Sequence, residues 1–192
     1  MSGAQATLVL ASASPRRRDL LAQVGITPDA VIPADIDETP HKKELPRLYA
    51  ERIGLEKALA VHREGQFTLA GDTVVALGRR ILPKAETDAE VADCLHLLSG
   101  RAHHVLTSLV IIAPDGRKVE RLNDTRVILK RLSDDDISAY VASKEGLGKA
   151  GGYGIQGRAG AFVKHISGSY TGVMGLPVHE AINALTGLGF KT

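Results

Sequence analysis

Between Phe67 and Leu77 the chain reads Phe-Thr-Leu-Ala-Gly-Asp-Thr-Val-Val-Ala-Leu, strand-like on both sides of Gly71-Asp72. One carboxylate sits inside this apolar run. An unpaired buried aspartate is costly, so Asp72 must meet a cation, ligate a metal or line a wet cleft, and a fold that buries this strand has to supply one of the three. The plain alternative is a bulge beside Gly71 in which Asp72 hydrogen-bonds backbone. Gly78-Arg79-Arg80 turns the chain into Ile81-Leu82, and Lys84 follows closely enough to face the same side.

A second constraint lies near the start, in Leu10-Ala-Ser-Ala-Ser-Pro-Arg-Arg-Arg18. A strand over Thr7 to Leu10 gives way to small hydroxyl residues and then to a helical pattern running to Gly25, with Ser14 as N-cap and Pro15 as first helical residue. Three arginines in a first helical turn are misplaced against the positive end of the helix dipole, and an anion would resolve the conflict. Strand, tight turn and helix N-terminus make a phosphate-binding arrangement to which guanidinium forks are suited. A solvated basic turn is the bland reading.

The rest of the chain alternates strands and helices. Ala30 to Ile32 leads into an irregular loop dense in carboxylates, Pro33-Ala-Asp-Ile-Asp-Glu-Thr-Pro40. A helix is expected from about Leu45 to Val61, with Lys57 read plainly as a favourable charge near its C-terminus. Thr87-Asp-Ala-Glu90 is a capping box opening a helix that ends at Ser99-Gly100, and Ser133 caps another through Tyr140. His104 to Ala113 and Lys118 to Leu129 read as antiparallel partners across a turn at Pro114-Asp-Gly116. His103 and His104 would face opposite ways as edge or surface residues and cannot chelate one metal. From Gly146 to Gly160 nearly every other residue is glycine or alanine, which a domain tolerates where backbone approaches a ligand or adopts positive φ. Phe162 to Ile166 returns as strand, Gly168-Ser-Tyr-Thr-Gly172 is a second glycine loop, and Pro177 opens a last helix to Leu188 as its first residue.

Two motif look-alikes fail. Gly152-Tyr-Gly-Ile-Gln-Gly157 has the letters of a dinucleotide fingerprint without the preceding strand or following helix, and Gly146-Leu-Gly-Lys149 lacks the first glycine and the Ser/Thr of a P-loop. The chain has 192 residues and a net charge of +2, so it can bury a real core but has no global basic field for nucleic acid. Seven aromatic residues (three Phe, four Tyr) and no basic, aromatic-studded strand argue the same way. The single Cys94, on an apolar helical face, excludes an internal disulfide and reads as a small buried hydrophobe. Without a long apolar run, and with Met1-Ser-Gly-Ala-Gln5 unlike a signal peptide, the expectation is a cytoplasmic protein with no membrane partner.

Ser12-Ala-Ser-Pro-Arg-Arg17, Gly71-Asp-Thr-Val-Val75, Leu98-Ser-Gly100 with His104, Lys149-Ala-Gly-Gly-Tyr-Gly-Ile-Gln-Gly157 and Gly168-Ser-Tyr170 together resemble the Maf family of nucleoside triphosphate pyrophosphatases, in family order from Leu8 to about Leu188. The resemblance implies one Maf-like domain over residues 1–192. Its fold would be an α/β mixed sheet flanked by helices, similar to the inosine triphosphate pyrophosphatases, in two lobes around a nucleotide cleft and usually as a homodimer. It implies hydrolysis between the α and β phosphates with a divalent metal, Mg2+ or Mn2+. By position, Asp72 would be proton acceptor or metal-bound base and Glu38 a metal partner. Ser12, Arg16 and Arg17 would hold phosphates, with Lys57 and Lys84 as further cations. Lys149 would also bind substrate, and Thr73 and Gln156 would help select the base. Gly-Asp-Thr and Gly-Ile-Gln resemble the branch acting on dTTP and UTP rather than the one acting on 7-methyl-GTP. Pro83-Lys-Ala85 departs from the commoner Gly-Lys-Pro, and Ser108 and Gly172 stand where glycine and asparagine are expected.

A triphosphate carries about four negative charges, so its site needs several cations and a hard metal on one to three carboxylates, and this chain carries both kinds of residue. A pyrophosphatase for non-standard nucleotides is one competing expectation. A nucleotide-binding regulator of cell division with incidental hydrolysis is the other, and such a binder has little use for Asp72 and Glu38.

Overall fold

The computed structural model describes residues 6–191, so the expectation drawn from Met1 to Gln5 lies outside the described residues. β1 (Leu8–Ala11) pairs in parallel with β2 (Ala30–Val31) on one side and β3 (Phe67–Leu77) on the other. The remaining pairings are antiparallel: β3 with β4 (Arg80–Leu82) and β6 (Ala102–Ile112), β6 with β7 (Lys118–Leu129), and β7 with β9 (Val163–Ser167). The order β2-β1-β3-β6-β7-β9, with β4 also on β3, is the mixed sheet expected. A separate ribbon joins β5 (Lys84–Ala85) to β8 (Lys149–Ala150).

Alternation along the strands sends side chains to two faces. On one, α1 (Pro15–Ala22) and α6 (Val178–Gly187) lay Leu20, Leu21, Ala181 and Leu185 over Leu8, Leu10, Leu69 and Leu109. On the other, α2 (Pro46–Val61) packs Ala58 and Val61 against Val9, Ala70 and Val110, and Ala50 against Val74 and Leu106. The far ends of β3, β6 and β7 are buried by α3 (Asp88–Leu98), α4 (Asp134–Ala142) and Tyr153 and Ile155 of the glycine-rich segment. Long strands β3 and β6 thus run through two packed halves. Among the described residues no helix is long and apolar enough to cross a membrane.

Local expectations hold where backbone chemistry is decisive. Both capping boxes close, Thr87 with Glu90 and Ser133 with Asp136. Cys94 is buried on α3. Three readings change, and one, Ser14, holds in position only. β3 crosses Gly71 and Asp72 in unbroken register with Leu109 and Ser108, so no bulge accommodates Asp72. Ser14 occupies the N-cap position of α1 without a side-chain cap, its N–H donating instead to Ser12 Oγ at 3.1 Å. Pro177 is the N-cap of α6 rather than its first residue. The second glycine loop contains α5 (Tyr170–Met174), whose Gly172 N–H donates to Ser169 Oγ at 2.9 Å.

The histidines need the largest correction. They face opposite ways, but only His104 is at the surface, 2.6 Å from Asp124 Oδ1. His103 is fully buried because β6 lies between β3 and β7 with the glycine-rich segment above it. Its Nε2 lies 2.7 Å from the Tyr153 hydroxyl, and its Nδ1 is the one buried side-chain polar atom without a partner among the described residues. Burial, aided by His104, pulls the imidazole down to about 4. The folded state therefore disfavours the charged ring, and between about pH 6.5 and pH 4 the unfolded chain binds the extra proton, so stability falls as pH falls through that window. His103→Phe should flatten this part of the stability profile, removing a decline on the order of 3 kcal/mol in urea titrations at pH 4 to 7. An unchanged slope would show that the ring's burial has no titration consequence.

Candidate functional site

β1 stops at Ala11, paired with Ala70, while β3 continues for seven more residues and meets β4 only at Val75. Residues 71–74 therefore present a strand edge with no neighbour on the β1 side. A cleft of about 290 Å³ opens there, between the β1–α1 turn, the acidic loop, the β5–β8 ribbon and the end of α5. All ten residues singled out from the sequence line it: Ser12, Arg16, Arg17, Glu38, Lys57, Asp72, Thr73, Lys84, Lys149 and Gln156. Tyr153 lines it too; it lies within the Lys149 to Gly157 motif but had been given no role there.

Asp72 is buried on the α2 side of β3. Lys57, whose plain reading was a favourable charge near the helix C-terminus, is buried too and places Nζ 2.8 Å from Asp72 Oδ1 and 2.9 Å from Glu38 Oε2. Lys84 Nζ lies 3.6 Å from the same Glu38 oxygen and is half exposed. Burial pushes the Glu38 carboxyl up, but the bond to Lys57 and the charges of Lys57 and Lys84 outweigh it, so Glu38 sits below its ordinary value. The acidic loop is irregular, as expected, yet it is fastened to α2: Tyr49 donates to the Glu38 carbonyl at 2.8 Å, and Arg52 grips Glu44 at 2.7 and 2.8 Å and the Thr39 carbonyl at 3.2 Å. The Arg52 contact holds Glu44 down to about 2.

Of the three arginines, two turn back into the protein. Arg17 is buried and donates from Nε to the Gly175 carbonyl (2.7 Å), from Nη1 to Ser12 Oγ (2.9 Å) and from Nη2 to Thr73 Oγ1 (3.2 Å). Arg16 uses Nε on the Met174 carbonyl at 3.3 Å. Carbonyls at the end of α5 thus supply part of the negative charge that the first turn of α1 demands. Arg18 is exposed beside Asp19. Ser12 Oγ accepts from both Arg17 and the Ser14 N–H, so its own hydrogen is left to donate.

The opposite wall is made by glycine. Gly151 has φ +66°, and a Cβ there would lie 2.7 Å from Val75 Cγ1, so only glycine lets this segment lie on β3. A Cβ at Gly154 would meet Lys149 Cε at 2.8 Å, and the Tyr140 hydroxyl holds the Gly154 N–H at 3.0 Å. The ribbon pairs Lys84 with Ala150 and Ala85 with Lys149, and both lysines line the cleft. Burial, then Arg16, lowers Lys149, and burial also lowers Arg16 and Arg17. Cations crowded together and partly desolvated are the electrostatic condition that a bound polyanion relieves.

Glu38 and Asp72 share one cation, Lys57 Nζ, so their oxygens converge on a common point. Among the described residues no group of three or more His, Cys, Asp or Glu side chains forms a metal cage. Two hard carboxylates fit magnesium or manganese, which are commonly held by one or two carboxylates together with substrate phosphates.

A family model described as Maf-like protein matches residues 7–188. The chain is 62% identical over 186 residues to the dTTP/UTP pyrophosphatase of Caulobacter vibrioides, covering 96% of both chains. It is 57% identical to that of Hyphomonas neptunium, covering 97% of both, and 55% identical to that of Rhodospirillum rubrum, covering 96% of this chain and 89% of the relative. A solved dITP/XTP pyrophosphatase from Mycobacterium abscessus superposes with a TM-score of 0.41 at 17% identity over 65% of this chain and 75% of its own, too slight a likeness to argue from. With the family pattern matched over nearly its whole length, this chain belongs to the Maf-like protein family.

Proposed function

We propose that this chain hydrolyses dTTP and UTP to the nucleoside monophosphate and pyrophosphate. The observation that carries this reading is the buried Asp72, ion-paired with Lys57 on the floor of a cleft whose walls bear Arg16, Lys84 and Lys149. Relatives named dTTP/UTP pyrophosphatase, at 53 to 62% identity, support the choice of nucleotide.

In this mechanism water attacks the α phosphorus in line, the bond from that phosphorus to the bridging oxygen breaks, and pyrophosphate leaves. Asp72 orients the water and takes its proton, while Lys57 fixes the direction of the carboxylate. Arg16, Lys84 and Lys149 stabilise the charge that gathers on the departing pyrophosphate, and the Ser12 hydroxyl donates to a phosphate oxygen. Arg17 acts one step back, setting Ser12, Thr73 and the Gly175 carbonyl around the substrate. Thr73 and Gln156 read the base. Glu38 and Asp72 would hold a divalent cation such as Mg2+ or Mn2+, which when bound would neutralise phosphate charge and acidify a coordinated water. The working unit is a homodimer in the cytoplasm, its size open to measurement by light scattering.

The regulatory alternative needs the cations but not the carboxylates. Release of pyrophosphate from dTTP, UTP, CTP, GTP and 7-methyl-GTP decides the matter: dTTP and UTP should be preferred, and Asp72→Asn should lower kcat at least about a hundredfold. Nucleotide bound without turnover would instead support the regulator. Gln156→Ala should cut the preference for UTP over CTP by about tenfold in kcat/KM, because a selective hydrogen bond is lost. Lys57→Met leaves Asp72 and Glu38 facing each other without their cation, and should lower stability by about 3 kcal/mol as read by urea midpoint.

A further inference from the structure

Ser108 lies opposite Asp72 in the β3–β6 ladder and is almost wholly buried. Its hydroxyl oxygen accepts the Asp72 backbone N–H at 2.9 Å. Two glycines make room for it. A Cβ on Gly54 of α2 would lie 2.2 Å from Ser108 Oγ, and a Cβ on Gly71 would lie 2.4 Å from the Ser108 carbonyl oxygen. Gly54 and Lys57 are three residues apart, hence on one face of α2, so the depth at which Gly54 seats on Ser108 also sets how far Lys57 reaches toward Asp72. The ammonium reaches its carboxylate at 2.8 Å in this arrangement.

We infer that Ser108, seated against Gly54, is a positioning residue for the Asp72–Lys57 pair. The inference rests on the reading of Asp72 as the group that takes the water's proton. Ser108 holds one member through its backbone and registers the other through the helix. Asp72 is paired with β6 on one side only, so the serine adds a direct hold on the one peptide unit that carries the reacting carboxylate. Misplacing a reacting group by about 1 Å can cost on the order of a hundredfold in rate, so small slack here should be visible in turnover.

Three variants separate hydrogen bond from packing. Ser108→Ala removes the acceptor and keeps the helix seat. Gly54→Ala forces a methyl against the hydroxyl and should lift α2. Gly54→Ala with Ser108→Gly exchanges the bulk across the contact, which should restore Tm but not the acceptor. Expected for Ser108→Ala is a kcat for dTTP about tenfold lower with KM within twofold and little change in Tm. The double variant should regain the Tm lost in Gly54→Ala while kcat stays low. Amide hydrogen exchange gives a readout independent of turnover: the Asp72 N–H should exchange at least about tenfold faster in Ser108→Ala. Wild-type kcat in Ser108→Ala, or a kcat that follows Tm through all three variants, overturns the inference. If the wild-type protein is inert toward nucleotides, the reading of Asp72 fails by itself, and slow Asp72 exchange that is unaffected by Ser108→Ala would separately refute the hold on its backbone.

Discussion

Lys57 is the interaction on which the cleft depends. A single ammonium, almost removed from water, lies within 3 Å of one oxygen of Asp72 and one of Glu38. Lys57 and Asp72 are buried and Glu38 is partly exposed; removing charges from water is unfavourable, and the attraction between them recovers the loss only when the geometry is tight. The fold secures that geometry from three directions. β3 carries Asp72 in a central strand, α2 brings Lys57 down on one face of it, and the acidic loop delivers Glu38 only because Tyr49 and Arg52 fasten that loop to the same helix. One helix thus supplies the cation and also anchors the loop that carries the second carboxylate.

A second cation organises the opposite rim. Arg17 spans the β1–α1 turn, β3 and the junction of α5 with α6, with each nitrogen of its guanidinium donating to a protein oxygen. Such a planar fork fixes relative position better than a lysine could, since its donors are held at set angles. Thr107 extends the same network, donating to the Gly172 carbonyl at 2.8 Å. The cleft therefore has a rim of internally satisfied polar groups and a mouth of less satisfied ones, Arg16, Lys84 and Lys149. That separation of scaffold from contact is what allows a concentration of positive charge near net neutrality of the whole chain.

Much of the site was legible in the residues. Asp72 inside an apolar run had to meet a cation, a metal or a wet cleft, and it meets Lys57 at the floor of a cleft; the strand, turn and helix around Pro15 formed where cap and turn chemistry said they would. Glycine density between 146 and 160 marked backbone that approaches a ligand or takes positive φ, and Gly151 shows the second, at φ +66° against Val75. What misled was any inference about surroundings. On its plain reading Lys57 was only a favourable helix-end charge and His103 an edge or surface residue, because periodicity tells which side a residue faces and not what covers that side. Arg17 carries no local sign that its partners are the Gly175 carbonyl and Thr73.

The sequence by itself determined the local elements, the caps and the inventory of charge, since these follow from neighbours within a few residues and from the energetic penalty of burying a lone carboxylate. Tertiary structure alone decided who meets whom. Lys57 and Asp72 are fifteen residues apart, and Arg17 and Gly175 are 158 apart. Contacts of that separation are fixed by strand order, by the depth at which a helix seats, and by which glycines leave room for it. Those are properties of packing between elements, and no stretch of the chain carries them alone.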